Sequence, residues 1–127
     1  MEFNDRTDVI IGCAYKVHNT LGRGYLEKVY ENALKIELEK QAFKVEQQFP
    51  IPVFYEGVNI GDFYADLLVD STIIIELKAV ETLHARHEAQ LVNYLTATQI
   101  DDGLLINFGS SSVQIKRKYR VYKKSKI

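Results

Sequence analysis

Residues 65–79, ADLLVDSTIIIELKA, decide how this chain folds. Two apolar runs, Gly61–Val69 and Thr72–Ala79, flank Asp70-Ser71, and their near-continuous hydrophobicity is that of central strands covered on both faces. Charges interrupt both runs. Glu76 and Lys78 stand two apart, so strand alternation puts their side chains on one face. Burying such charges without partners costs several kcal/mol. A structural Glu–Lys ion pair meets that cost. So does the mouth of an active site, where a carboxylate binds a metal and an ammonium meets a phosphate or an attacking water. Asp66 weighs toward the second answer, because it breaks the preceding strand within Ala65, Leu67, Leu68 and Val69. Two carboxylates brought together repel unless a cation lies between them or one takes a proton. Oxygen ligands suit Mg²⁺, and the constellation fits hydrolysis of a phosphodiester, with Lys78 acting on the water. Parity sets a condition. A two-residue loop at Asp70-Ser71 pairs Asp66 with Ile75 and turns Glu76 to the other face, so the site requires an odd-numbered loop or a bulge.

Outward from this core, Val9, Cys13 and Val17, with Ile10 and Ala14 alongside, mark a helix from Asp5 to about Thr20, with Asn4 or Asp5 as cap. Leu21–Gly24 interrupts it. A second helix is expected from about Tyr25 to Lys40, its face formed by Leu26, Val29, Tyr30, Ala33, Leu34 and Leu38. Glu27 falls inside that stripe, whereas Lys28 and Glu31 read as ordinary solvated residues. From Phe43 the period becomes two, through Val45, Gln47 and Phe49. Ile51–Tyr55 continues as strand, and Glu56-Gly57 reads as a turn. Helical spacing returns from His84 to about Gln99, where Gln90 and Tyr94 stand four apart on one face. Strands at Gly103–Phe108 and Val113–Arg117 close the chain around residues 109–112. The expected order is ααββββαββ, an α/β fold with a mixed sheet.

Length and composition set the remaining bounds. The 127 residues fit one domain, 1–127, and 46% hydrophobic residues supply a core. No apolar run approaches a membrane span, and the acidic MEFNDRTDV start is unlike a signal peptide. Cys13, the single cysteine, reads as a buried small hydrophobe, and a cytoplasmic location is expected. His18 reads as a structural hydrogen bonder, and His84 and His87 as solvent-exposed. The net charge of −1 conceals an asymmetry: Lys116–Ile127 carries seven of the 16 basic residues and none of the 17 acids. Lys116, Arg117, Lys118, Arg120, Lys123, Lys124 and Lys126 can release counterions from phosphates, and Tyr119 and Tyr122 can stack on bases. A solvated terminal extension that offsets the acidity of the body is the equal alternative.

These residues together resemble the GxxExxY family, a group of small proteins placed in the PD-(D/E)xK nuclease superfamily. The naming motif stands as Gly24-Tyr25-Leu26-Glu27-Lys28-Val29-Tyr30 within VHNTLGRGYLEKVYENAL, and ADLLVDSTIIIELKAV is similar to the family's core. EAQLVNYL and GLLINFG extend the resemblance over nearly the whole chain. It implies a restriction-endonuclease-like sheet flanked by helices. It also implies a set of catalytic residues: Glu27, Asp66, Glu76, Lys78, Gln90 and Tyr94. Asp66, Glu76 and Glu27 would hold Mg²⁺, with Mn²⁺ as substitute. Ala65 stands where the superfamily name has proline, a residue that shapes the strand and takes no part in chemistry. The expected partner is nucleic acid, DNA first, with a second copy or another protein supplying specificity and no membrane involved. A catalytically silent binding or protein-interaction module on the same fold is the alternative. If the basic tail holds nucleic acid, charge reversal of Lys123, Lys124 and Lys126 flattens the salt dependence of binding. An unchanged slope in a salt titration returns the tail to a solvated extension.

Overall fold

Asp5 opens the first helix by accepting a hydrogen bond from the Thr7 backbone N–H (3.0 Å). In the computed structural model, which describes residues 5–121, this helix (α1, Arg6–Leu21) buries Ile10, Cys13, Ala14 and Val17 at helical spacing. A turn follows, and α2 (Glu27–Lys40) buries Tyr30, Leu34 and Leu38. The second helix starts two residues later than its apolar pattern suggests, since Tyr25 and Leu26 belong to the turn and lie exposed.

Five strands form one sheet in the order β1-β2-β3-β4-β5: Val45–Tyr55, Val58–Val69, Ile73–Lys78, Asp102–Asn107 and Gln114–Tyr119. The helix α3 (Ala85–Thr98) carries the chain from β3 to its parallel neighbour β4, while the other three pairings are antiparallel. The observed order is therefore ααβββαββ. Residues 43–49 and 51–55 contribute one strand instead of two, leaving three strands before α3. Pro50 and Pro52 do not divide β1 because it lies at the sheet edge, where a missing N–H breaks no ladder. The mixed sheet with flanking helices is the α/β arrangement expected.

The sheet is covered on both faces. Ile10, Val17, Leu34 and Leu38 pack on Leu67, Ile75, Leu77 and Ile106, whereas Leu91 and Leu95 pack on Ile51, Leu68, Ile74 and Leu105. β3 stands at the centre, which is why three consecutive isoleucines there are all buried. Apart from the register shift between Val53 and Phe54, strand alternation in β1 fails at Gln48. Gln48 adopts φ 52°, and Gln47↔Leu67 and Phe49↔Ala65 pair on either side of it. Phe43 and Val45 consequently pack toward α1 and α2, but Phe49 and Ile51 pack toward α3. The expected single alternation from Phe43 to Phe49 reverses there.

The segment after Lys78 is clamped by β4. Asn107, fully buried, accepts hydrogen bonds from the Val80 (2.9 Å) and Gly109 (3.0 Å) amides and donates to the Val80 carbonyl (2.7 Å). A Cβ on Gly109 would lie 2.3 Å from the Val80 nitrogen and 2.5 Å from the Ala79 carbonyl carbon, so only glycine permits this approach. His18 behaves as expected, with its Nε2 3.0 Å from the Ser110 carbonyl. Asn107→Ala leaves the Val80 and Gly109 groups unpaired and is expected to cost about 1–3 kcal/mol, with Gly109→Ala also destabilising. Urea unfolding of both variants measures this, and wild-type midpoints would refute the clamp.

Candidate active site

The connection between β2 and β3 has three residues, Asp70, Ser71 and Thr72, the odd number that parity demands. Val69 pairs with Ile73 and Leu67 with Ile75, and continuing this register sets Asp66 opposite Glu76. The ladder ends there and the two strands part. Freed from ladder duty, the Leu77 amide donates to Asp66 Oδ2 (2.8 Å), and the Asp66 amide donates to Glu76 Oε2 (3.4 Å). The Glu76 carboxyl thus lies against the backbone of Asp66, whose own carboxyl is fixed by the neighbouring Leu77 amide. Glu76 is only 8% exposed. Burial, then the charge of Asp66 and its hydrogen bond, push the Glu76 carboxyl up to about 9. The two carboxyl groups are hard oxygen donors in a place of concentrated negative charge, the donor chemistry a small divalent cation requires.

Lys78 follows Glu76 by two residues, is partly exposed, and forms no ion pair among the described residues. Glu76 thus contacts Asp66, not Lys78. From α3, Gln90 Nε2 donates to the Tyr94 hydroxyl (3.0 Å), so the expected pairing on that helix face is present. The Tyr94 phenol is raised by burial and then by the charges of Glu76 and Asp66. At the start of α3, His84 lies exposed and His87 is partly buried. Burial, followed by the charges of Lys78, Arg86 and His84, lowers the His87 imidazole.

The helix acids divide differently from expectation. Glu27, on the first turn of α2, is exposed at the rim. Partial desolvation raises its carboxyl, with Lys78 and the Ala79 amide opposing and Asp66 and Glu31 adding. It does not join a three-acid cluster: among the described residues, no three His, Cys, Asp or Glu side chains converge to hold a metal ion. Glu31, one turn on, is the acid that packs onto the sheet. It is 3% exposed instead of solvated, and accepts hydrogen bonds from Lys28 Nζ (2.9 Å), Gln47 Nε2 (2.8 Å) and Gln48 Nε2 (3.1 Å). Gln48 Nε2 also lies 3.4 Å from Asp66 Oδ1, so a chain of polar groups runs from α2 to the carboxyl pair. The spacing of Glu31 to Leu34 and Leu38 carried the signal for its burial, since those three lie on one helical face.

The GxxExxY residues have separate structural duties. Gly24 adopts φ 117°, a backbone region closed to most side chains. Tyr30 stacks on Phe108 (4.7 Å between centroids) and donates its hydroxyl proton to the Gly22 carbonyl (2.6 Å), fixing the turn that presents Glu27.

The basic C-terminal stretch is only partly an extension. Lys116–Tyr119 belongs to the edge strand β5, and three of its candidate phosphate binders meet acids instead. Arg117 pairs with Asp5 (3.2 Å) and Asp102 (3.4 Å), Lys118 with Glu88 (2.6 Å) and Arg120 with Asp101 (2.7 Å). Lys116 and Tyr119 are exposed. Tyr122, Lys123, Lys124 and Lys126 lie outside the described residues. No helix among the described residues is long and apolar enough to cross a membrane.

Comparison with known proteins agrees with the fold. A search of curated proteins found no match. Among solved structures, the crystal structure of SSO0001 is similar at a TM-score of 0.56 and 16% identity, over 76% of this chain and 52% of that one. This chain thus spans about half the length of that protein, and the likeness concerns the fold, a restriction-endonuclease-like α/β sheet. A family model for the PD-(D/E)XK nuclease superfamily matches residues 4–118, which takes in α1, the parting of β2 and β3, and most of β5. The chain belongs to the PD-(D/E)XK nuclease superfamily.

Proposed function

We propose that this protein is a divalent-metal-dependent phosphodiester hydrolase of the GxxExxY group, acting on nucleic acid and on DNA first. The observation that carries the reading is the Asp66–Glu76 carboxyl pair at the parting of two strands, with Lys78 two residues on and in no ion pair among the described residues. A purely structural Glu–Lys ion pair predicts Glu76 against Lys78, and Glu76 meets Asp66 instead. Membership of a nuclease superfamily and the Gly24, Glu27 and Tyr30 motif support the same reading.

Asp66 and Glu76 would hold the ion, Mg²⁺ by preference and Mn²⁺ as substitute, with Glu27 acting from the rim through water. An ion held there would supply positive charge to the phosphate and would acidify a water. Lys78 orients the attacking water and neutralises a phosphate oxygen. The Leu77 amide fixes Asp66, so the carboxylate is held in place before substrate arrives. Gln90 and Tyr94 present an amide and a phenol to the scissile group. Lys116, Lys123, Lys124 and Lys126 would bind the nucleic-acid backbone through charge.

A cleavage assay on single- and double-stranded DNA and RNA, with Mg²⁺ or Mn²⁺, tests the activity directly. Lys78→Ala is expected to lower cleavage by about 10²- to 10⁴-fold while leaving divalent-cation binding intact, since the carboxyl pair remains. Unfolding of that variant would instead mark Lys78 as a structural counter-charge, and normal cleavage would remove it from the mechanism.

The pH dependence of ion binding follows from Glu76. Its folded-state pKa is about 9 without metal, well above an unfolded glutamate. Below the unfolded value both states are protonated. As pH rises toward 9 the native state retains a proton that the unfolded state has lost, so metal-free stability falls across this window. Metal must displace that proton, so affinity is expected to rise with pH, up to about tenfold per unit, and to level off above 9. Calorimetry in buffers of differing ionisation enthalpy measures the released proton. Asp66→Asn removes the like charge and should abolish both the ion binding and the steep pH response. Proton-independent binding by the wild type would overturn this account.

A further inference from the structure

A groove lies beside the carboxyl pair, between α3 and the β1–β2 hairpin. It encloses about 820 Å³, and Phe54, Phe63, Arg86, Gln90, Asn93 and Tyr94 are among the residues that line it. The hairpin turns at Glu56 (φ 49°) and Gly57 (φ 80°), and its two strands hold an unusual set of exposed aromatics: Phe54, Tyr55, Phe63 and Tyr64. Within the groove, Phe63 is 43% exposed and packs 5.8 Å from the Tyr94 ring at a 41° tilt. Tyr94, which lines the groove, packs in the same apolar cluster as Ala65, the residue before Asp66, so the groove adjoins the strand that carries the pair.

The lining has a definite chemistry. Arg86 is its one ionised side chain among the described residues, and Gln90 and Asn93 supply amides. The hairpin acids Glu56 and Asp62 are not part of it, and Asp62 accepts a hydrogen bond from Asn59 (3.0 Å). A cation, aromatic faces and amides side by side match a phosphate, a base face and a base edge. A duplex keeps its base faces within the stack, whereas a single strand offers them to aromatic side chains. The volume falls in the range of small-ligand clefts, about 300–1,000 Å³, and takes one or two nucleotides instead of a double helix. An added protein strand is a poorer occupant of this side, because Pro50 and Pro52 deprive the edge strand β1 of two backbone donors.

We infer that this groove binds the single-stranded nucleotides adjoining the scissile phosphate, with a base stacked on Phe63 and a phosphate held by Arg86. The inference rests on the hydrolase reading and deepens it, selecting single-stranded or frayed nucleic acid over intact duplex.

Binding is measured by fluorescence anisotropy with short labelled single-stranded oligonucleotides and the matching duplex. Lys78→Ala with Mg²⁺ serves as the uncleaving background. The single strand is expected to bind at least about tenfold more tightly than the duplex. Phe63→Ala should weaken single-strand binding by about 5- to 150-fold, the worth of one stacked base, and Phe63→Tyr should retain it. Arg86→Gln should lower the salt slope by about 0.7, one phosphate's share. Unchanged thermal unfolding of these surface variants separates lost contacts from lost fold. Equal or tighter duplex binding, wild-type affinity in Phe63→Ala and Arg86→Gln, or no binding at all overturns the groove. Lys78-dependent cleavage of duplex, indifferent to Phe63, would leave the hydrolase standing without this groove. Intact single-strand binding with no cleavage of any substrate would do the reverse.

Discussion

The register of β2 against β3 is the constraint from which the site follows. Shifting an antiparallel pair by one residue turns every side chain to the opposite face. Here such a slip would separate Asp66 from Glu76 and bury Lys78 on the wrong side. Asp70 guards against it. Its amide donates to the Lys44 carbonyl, its Oδ1 accepts from the Lys44 amide and its Oδ2 accepts from Arg6 Nε (3.0 Å). Asp70 and Ser71 both take positive φ, 51° and 58°, which compresses the connection into three residues. The turn is thereby tied to both α1 and the strand β1, and the spacing of the distant carboxyl pair inherits that rigidity.

A second device lies across the sheet. Gln48 holds a left-handed backbone conformation, a state that costs a non-glycine residue on the order of 1–3 kcal/mol unless its surroundings enforce it. Its side chain meets Glu31 and Asp66 together, and Glu31 is in turn satisfied by Lys28 and Gln47. The strained residue therefore sits where the ladder must open for Asp66 to turn toward Glu76. Local strain, a broken ladder and a buried polar network coincide at one end of the central strands, as binding and catalytic sites require.

The carboxyl pair is unfavourable as it stands, and that is its chemical use. Two like charges held together by rigid strands remain repulsive until a proton or a cation joins them. Glu76 shows the cost through its raised affinity for a proton. The surrounding clamps on Ala79 and Val80 prevent the strand end from relaxing away. The aromatic hairpin and α3 then extend the same opening into a surface that accepts an unpaired base.

Periodicity and charge within residues 65–79 determined the two central strands, and the condition that Asp66 and Glu76 share a face called for an odd connection or a bulge between them. These are local properties, because strand alternation and hydrophobic burial act between residues close in sequence. The start of α1 at Asp5 and the burial of Cys13 were legible for the same reason. Tertiary structure alone decided which partners satisfied each polar group. Glu31 sits on the Leu34–Leu38 face, yet its burial depended on Gln47 and Gln48 arriving from another element. Glu27 shares a motif with Tyr30, but the helix start leaves it at the rim. Arg117, Lys118 and Arg120 found acids on α3, near α1 and around β4. A charged side chain's role depends on what lies across from it, and that is settled when distant segments pack together.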